Sequence, residues 1–178
     1  MHARFRRALA AFFVAALCLP STVGSDTLRS ARGCLEVALQ AADAWADDAQ
    51  LVWLENDAPV DAEGRADAWG FLFFSPQQGA MRSYSVREGV LALADDHAVT
   101  APAPALETWV DSGDIAQRAW KRANEKCESG CALATLLLVR GVFAHETTWV
   151  AVFQSTSGPR LFVVMDAANG KIIRDWRG

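Results

Sequence analysis

Apolar residues recur every three or four positions in two segments of the chain, which is the period of an amphipathic helix. The first stripe consists of Leu28, Ala31, Leu35, Leu39, Ala42 and Ala46. The second consists of Ile115, Ala119, Ala123 and Cys127. Asp26 or Thr27 precedes the first stripe and Asp111 or Ser112 the second, and these residue types cap helix N-termini. The pattern predicts two helices, each with one buried face.

Short apolar runs separated by turn residues follow each helical segment. They cover residues 50–55, 68–75, 82–87 and 90–93 in the first half, and 132–142, 148–154, 160–165 and 171–174 in the second. Gln77-Gln78-Gly79, Glu88-Gly89, Ser157-Gly158-Pro159 and Asn169-Gly170 mark hairpin turns. A helix followed by an antiparallel meander, twice, predicts an α+β fold in which each helix lies on one face of a curved sheet. Whether the halves share one sheet is left open.

Sequence repetition supports a division into two related halves. Asp43-Ala44-Trp45 returns 75 residues later as Arg118-Ala119-Trp120, and the aromatic run that begins at Trp69 returns 80 residues later at Trp149. Between the halves lies an Ala/Pro-rich stretch that cannot continue a helix. We therefore predict a first unit at residues 25–94, a connector at 95–108 and a second unit at 109–178.

The N-terminus has the pattern of an export signal. Arg4, Arg6 and Arg7 precede an apolar run over residues 8–19, and small residues follow Pro20. The run is shorter than the roughly 20 residues that span a bilayer, so we predict a cleaved signal at residues 1–24. Leu17 precedes Cys18, whereas lipidation signals have a small residue there. The prediction is a periplasmic or secreted protein without stable membrane insertion.

Charge excludes one class of partner. Without Arg4, Arg6 and Arg7, the 17 Lys and Arg residues fall to 14 against 21 Asp and Glu, a net charge of −7. Nucleic-acid binding needs the opposite sign, so we expect no DNA or RNA partner.

Three cysteines, Cys34, Cys127 and Cys131, remain after the signal. An oxidising compartment favours one disulfide and leaves one thiol. Cys127 and Cys131 enclose residues with turn chemistry, so we predict that these two pair; a bridge from Cys34 to either is the alternative. The spacing fits neither a redox pair nor a zinc site.

Candidate catalytic and metal-binding residues are few. His2 lies in the signal, His97 in the predicted connector and His145 in a polar turn, and no nucleophile-elbow motif marks a serine. An acidic loop contains Asp57, Asp61, Glu63 and Asp67, but its spacing departs from a calcium loop. We therefore predict no catalytic residues, no metal and no cofactor, and hence a protein that is not an enzyme.

Tryptophans supply the candidate recognition residues. Trp45, Trp69, Trp120 and Trp149 follow the repeat, which favours a place in the core. Trp53, Trp109 and Trp176 do not follow it, and we predict that they contact a partner, because aromatic side chains contribute strongly to interfaces. The alternative is that Trp109 packs ahead of its helix and Trp176 covers a sheet edge.

The end of the chain resembles PepSY-type domains. Trp149-Val-Ala-Val-Phe, then Arg160-Leu-Phe-Val-Val-Met-Asp166-Ala-Ala-Asn-Gly170-Lys-Ile-Ile, is similar to the closing hairpin of that family. Trp109-Val-Asp111-Ser112 is similar to the start of such a unit, and residues 26–94 match more loosely. The resemblance implies two PepSY/cystatin-like units and a role in regulating peptidases or holding partners; the family supplies no catalytic residues.

Two functions follow from these observations. The first is an exported, non-catalytic module that binds a protein or peptide, with regulation or inhibition of a peptidase in trans as one form of it. The alternative is a carrier of a small apolar ligand in a cavity between helix and sheet. The side chains that would line or fill such a cavity are Phe71, Phe73, Phe74, Phe153 and Phe162. The sequence makes no prediction of oligomeric state.

Overall fold

A computed structural model describes residues 27–99, 101–127, 130–141, 146–156 and 158–178. The helices are α1 (Ala31–Trp45) and α2 (Ser112–Lys126). The strands are β1 (Gln50–Asn56), β2 (Ala68–Ser75), β3 (Ala80–Arg87), β4 (Val90–His97), β5 (Cys131–Arg140), β6 (Thr147–Ser155), β7 (Leu161–Asp166) and β8 (Ile172–Arg177). The predicted signal at residues 1–24, Cys18 and His145 lie outside the described residues.

All eight strands form one antiparallel sheet in the order β4-β3-β2-β1-β5-β6-β7-β8. The α+β class is thereby confirmed. The central pair, β1 with β5, joins the first four strands to the last four and places Leu54 opposite Leu138. The two halves of the chain therefore share a single sheet.

The connector was predicted to begin too early. Strand β4 continues to His97, with Asp95 opposite Ser83 and Asp96 opposite Arg82. Polar residues end the apolar run of this strand at Leu93, but a strand at the edge of a sheet carries polar residues readily. The chain after His97 then returns to the middle of the sheet, where the backbone of Leu106 donates to the carbonyl of Leu51.

Irregularities in the strand pairing occur at matching places in the two halves. The β1–β2 ladder shifts register between Leu51 and Trp53, and the β5–β6 ladder shifts between Leu133 and Thr135. The β3–β4 and β7–β8 ladders shift between residues 85 and 86 and between residues 164 and 165. Each bulge adds twist to its strands. Matching registers give a position-by-position correspondence between the first four strands and the last four.

Both helices lie on the same side of the sheet, α1 on β2, β3 and β4 and α2 on β5, β6 and β7. The largest fully buried side chains of this layer include Trp69, Phe71, Phe73, Trp149 and Phe153. Small alanines on the helices let them approach these aromatic rings closely. The sheet face against the helices is the core of the molecule.

Helix α2 has the predicted cap and stripe, whereas α1 is displaced. Asp111 caps α2, and Ile115, Ala119 and Ala123 are buried. The cap of α1 is Ser30 rather than Asp26 or Thr27, and its buried residues are Ala31, Cys34, Ala38 and Ala42. Leu39, assigned to the buried stripe from the sequence, is 39% exposed. The predicted stripe is confirmed at Ala31, Ala42 and Ala46 and wrong at Leu39, because the smaller Cys34 and Ala38 face the sheet there.

The two helix N-termini meet over the middle of the sheet. The Ser112 hydroxyl accepts from the backbone N–H of Ala31 at 2.9 Å and donates to the carbonyl of Gly64 at 2.7 Å. The Asp111 carboxylate accepts from the backbone N–H groups of Arg32 and Ser112. Gly64 has a φ of +73°, and a Cβ there would lie 2.3 Å from the carbonyl oxygen of Ser112. Asp111 and Ser112 at the start of α2 thus satisfy free N–H groups of α1, and Asp111 also satisfies one of α2.

The disulfide prediction is confirmed, because Cys127 is bonded to Cys131 and links the end of α2 to the start of β5. Cys34 is a free thiol buried in the core, and burial raises its pKa. The alternative pairing of Cys34 is therefore wrong.

One repeat noted in the sequence is not a structural equivalence. Trp45 is the last residue of α1, fifteen positions after the cap Ser30, whereas Trp120 lies nine positions after the cap Asp111. Trp69 and Trp149, in contrast, are both fully buried and both donate an indole hydrogen bond just ahead of a helix, to the carbonyls of Arg29 and Val110. Trp69 and Trp149 are therefore structurally equivalent, whereas Trp45 and Trp120 are not.

Candidate binding groove

The face of the sheet that points away from the helices, called the open face below, carries the candidate site. Among the described residues, neither helix packs against it. Two rows of side chains cross its first half from β1 to β4. One row is Glu55, Gly70, Ser85 and Leu93, and the other is Trp53, Leu72, Ser83 and Asp95.

Small residues in the middle of these rows make a depression of about 560 Å³, called the groove below. Gly70 and Ser85 occupy the middle of the first row, between the larger Glu55 and Leu93. The side chain of Trp53 stands on the β1 side. The groove therefore exists because small residues occupy outward-facing positions in the middle strands, and the sheet forms its floor.

Two carboxylates lie together on the β1 side of the groove. Asp57 follows β1, and its side chain lies over Gly70, where an added Cβ would be 2.6 Å from Asp57 Oδ1. Burial and the nearby charge of Asp57 raise the pKa of Glu55, while a hydrogen bond from Trp53 lowers it. No lysine or arginine of the described ranges forms an ion pair with either group. The groove thus combines apolar walls with uncompensated negative charge.

His97 and Ser83 form a polar pair at the other side of the groove. His97 lies on β4 rather than in a connector, and its Nε2 is 2.7 Å from Ser83 Oγ. That distance suits a base and a nucleophile. Within the part of the chain that the structure describes, however, no carboxylate is hydrogen-bonded to the other ring nitrogen. The pair is exposed, and it can donate and accept hydrogen bonds along the groove.

The three tryptophans predicted to contact a partner have different environments. Trp53 lines the groove, and Trp176, 37% exposed, stacks on Phe162 at 5.1 Å on the open face of the second half. Trp109 is only 7% exposed, between the ring of Trp149 at 5.8 Å and the guanidinium of Arg32 at 4.1 Å. Trp109 is therefore a core residue and leaves the set of candidate contacts.

The phenylalanines proposed to line an internal cavity do not share one. Phe71, Phe73 and Phe153 are packed in the core between helices and sheet. Phe74 and Phe162 point to the opposite face, since each alternates with inward-facing neighbours. These five side chains therefore do not line one common cavity.

The acidic loop does not gather around one point. Asp61 and Glu63 both pair with Arg65, Asp67 accepts from the Thr27 hydroxyl, and Asp57 turns onto the sheet. Over the described residues, no three His, Cys, Asp or Glu side chains lie close enough together to hold a metal ion.

Sequence reasoning missed most of the groove residues. Glu55, Gly70, Ser83 and Ser85 are unremarkable in the sequence, and only the register of four strands brings them together. The one available signal was a glycine in the middle of an aromatic strand, since such a glycine often marks a close approach by another group.

Comparison with known proteins defines the fold and no family. No family model and no curated protein matches the chain. A crystal structure from Clostridium difficile 630, described as that of a "putative lipoprotein", superimposes with a TM-score of 0.58 over 79% of this chain and 90% of that one. Sequence identity is 9%, so the similarity is one of fold, helices on an antiparallel sheet. In the described part of the chain, no helix is both long and apolar enough to cross a membrane.

Proposed function

We propose that this chain is an exported, non-catalytic module that binds a protein or peptide on the open face of its sheet. The observation that carries the proposal is the groove, an apolar and acidic depression beside Trp53 on a face without a covering layer among the described residues. Exposed apolar surface with a polar border is typical of interaction sites.

Export is proposed from the N-terminal pattern and the disulfide. The cationic and apolar segments of residues 1–24 match a secretory signal, and disulfides persist in oxidising compartments. The structural neighbour is described as a "putative lipoprotein", which agrees with an exported protein.

We further propose that the two halves are related PepSY-like units. The support is the shared order of one helix and four strands, the matching bulges, and the equivalent hydrogen bonds of Trp69 and Trp149. On this basis the partner class to test first is a peptidase, regulated or inhibited in trans.

A small-ligand carrier is the second candidate. Ligand pockets commonly measure about 300–1,000 Å³, and the groove lies in that range. Extraction of the native protein into organic solvent, followed by mass spectrometry, tests it. A stoichiometric small molecule that is lost when the groove is filled would favour the carrier over the binding module.

Site-specific crosslinking tests the binding module. The photoreactive residue p-benzoylphenylalanine is placed at Leu72 in the groove or, as a control, at Gln40 on the exposed side of α1. We expect a polypeptide adduct from the host's extracytoplasmic fraction at Leu72 and none at Gln40. The adduct is identified by mass spectrometry and its binding repeated with the pure partner; if that partner is a peptidase, inhibition is assayed. Equal adducts at both positions would contradict the proposal.

A further inference from the structure

The charge of the groove points to the chemistry of what binds there. Glu55 and Gly70 are cross-strand neighbours, and the carboxylate of Asp57 lies over Gly70. The two negative groups are thus adjacent, with Glu55 partly buried and Asp57 exposed. Neither has an ion-pair partner within the described ranges. Like charges repel more strongly where the sheet and Trp53 reduce access of water, so a cation from outside would be stabilised here.

The walls suit the rest of a long basic side chain. Trp53 and Leu72 lie next to the carboxylates in the adjoining row, and Leu93 stands on the far wall. Lysine and arginine pack their aliphatic stems on apolar surface while the charged head bonds elsewhere, and both also bind aromatic rings. The groove offers these two surfaces side by side.

The dimensions favour a polypeptide over a free cation. Four neighbouring strands span about 14 Å from the first to the last, which is longer than one side chain. Ser83, Ser85 and His97 lie along this width and supply hydrogen-bonding groups away from the carboxylates. A peptide can use all of them at once, through its backbone and its neighbouring residues.

We propose that the groove binds a partner polypeptide through an arginine or lysine whose charged head lies against Glu55 and Asp57 and whose stem lies on Trp53. This inference rests on the proposed function, a polypeptide bound on the open face, and adds the chemistry of the partner. The neighbouring residues of the partner lie across Gly70 and Ser85 toward Leu93.

The test starts from random 12-residue peptides displayed on phage and selected on the purified protein. Selected peptides are synthesised, and their affinity is measured by fluorescence anisotropy. We expect an arginine or lysine at one recurring position, flanked by apolar residues. The double variant Glu55→Gln/Asp57→Asn, which removes the charge and keeps the shape, should weaken binding at least tenfold. The matched control Glu36→Gln/Asp43→Asn removes two exposed charges from α1 and should stay within twofold of the wild type.

A second substitution separates charge from contact. Replacing the basic residue of the peptide by citrulline or norleucine should reduce affinity by the same factor as the double variant of the protein. Combining the peptide and protein changes should reduce affinity little further, because each change removes one side of the same interaction. Raising the salt concentration should weaken the wild-type complex more than the complex of the double variant. Thermal unfolding of each variant checks that it is folded, and Asp57→Asn alone, at an exposed side chain, serves if the double variant is not.

Three outcomes would overturn the inference, and they distinguish it from the proposed function. Ser83→Phe/Ser85→Val fills the groove. In the first outcome, the selected peptides lack a basic residue, no longer bind the filled variant and still bind Glu55→Gln/Asp57→Asn with unchanged affinity. That result would refute the basic anchor and leave peptide binding in the groove intact. If no selected peptide depends on the groove, both proposals fail. Spermidine binding as tightly as the peptides would show that the site takes a free cation.

Discussion

The two halves of the open face have matching strand registers but carry side chains of different size and polarity. When the strand registers of the two halves are matched, Gly70 corresponds to Val150, and Ser85 corresponds to Val164. Glu55 corresponds to Leu137 and Ser83 to Phe162 in the same way. Where the first half has a glycine, two serines and an acid, the second has branched and aromatic residues.

Burial follows this difference. Val150 and Val164 are buried although no described helix covers them, whereas Ser83 and Ser85 are partly exposed beside the groove. The same strand pairing thus carries buried valines in the second half and small, partly exposed residues beside the groove in the first. The residues that maintain the fold are therefore common to both halves, whereas the residues that form the groove are present in the first half.

The largest expected effect concerns what the halves share. Trp69 and Trp149 are fully buried, and each donates a hydrogen bond to the segment ahead of a helix. Trp69→Ala and Trp149→Ala should each lower the free energy of unfolding by about 3–5 kcal/mol, since both remove a large core side chain. Urea unfolding followed by circular dichroism measures both. A cost below about 1 kcal/mol at either position would mean that the two tryptophans are not equivalent.

The second prediction exchanges residues at corresponding open-face positions. Val164→Ser should lower the free energy of unfolding by about 2–4 kcal/mol, because it removes buried apolar surface and introduces a hydroxyl. Ser85→Val should change it by less than about 0.5 kcal/mol, since the site is partly exposed and valine favours strands. The same urea experiment compares them. Equal costs would show that the groove serine is needed for folding, and that the groove is not a dispensable surface feature.

The third prediction concerns the ends of the helices. A disulfide between Cys127 and Cys131 links α2 to β5, whereas α1 ends at Trp45 without such a link. Closing a five-residue loop restricts the unfolded chain by about 2 kcal/mol on the chain-entropy estimate. Cys127→Ser/Cys131→Ser should therefore lower the free energy of unfolding by about that amount relative to the wild type, measured by urea unfolding. A double variant as stable as the wild type would remove the disulfide from the account of stability.

The sequence predicts the layers of this fold better than its site. Both ends of β2 were predicted correctly, because the strand is a run of aromatic residues followed by a turn that contains glycine. The start of α2 was predicted from its cap at Asp111. The stripe of α1 was predicted only in part, because Cys34 and Ala38 rather than Leu39 face the sheet. The groove could not be predicted, since it depends on which of Gly70, Ser83 and Ser85 become neighbours across strands. Of the three tryptophans, burial of Trp109 depends in turn on Arg32 and Trp149, far away in the chain.

The smallest expected effect concerns the polar contacts between each helix and the sheet. Arg122 on α2 pairs with Asp175 on β8 at 2.6 Å, and Lys126 adds a contact at 3.5 Å. Counted from the helix caps and the strand register, the corresponding residues of the first half are Ala41 and Ala94. There the hydroxyl of Tyr84 donates to the carbonyl of Ala41 instead. The contact between α2 and β8 should therefore depend on pH, whereas the corresponding contact between α1 and β3 contains no carboxylate.

Hydrogen bonds from Arg122 hold the pKa of Asp175 below its ordinary value. A carboxyl with a lowered pKa in the folded state stabilises the protein above its unfolded pKa, near 4, and this contribution is lost as the pH falls through the folded pKa. Asp175→Asn should lower the free energy of unfolding by about 1 kcal/mol at pH 7 and by progressively less toward pH 3, because the pair is partly exposed. Urea unfolding at several pH values measures this, with Asp43→Asn on α1 as the control. A difference between Asp175→Asn and wild type that persists undiminished at pH 3 would show that Asp175 stabilises the helix by packing rather than by charge.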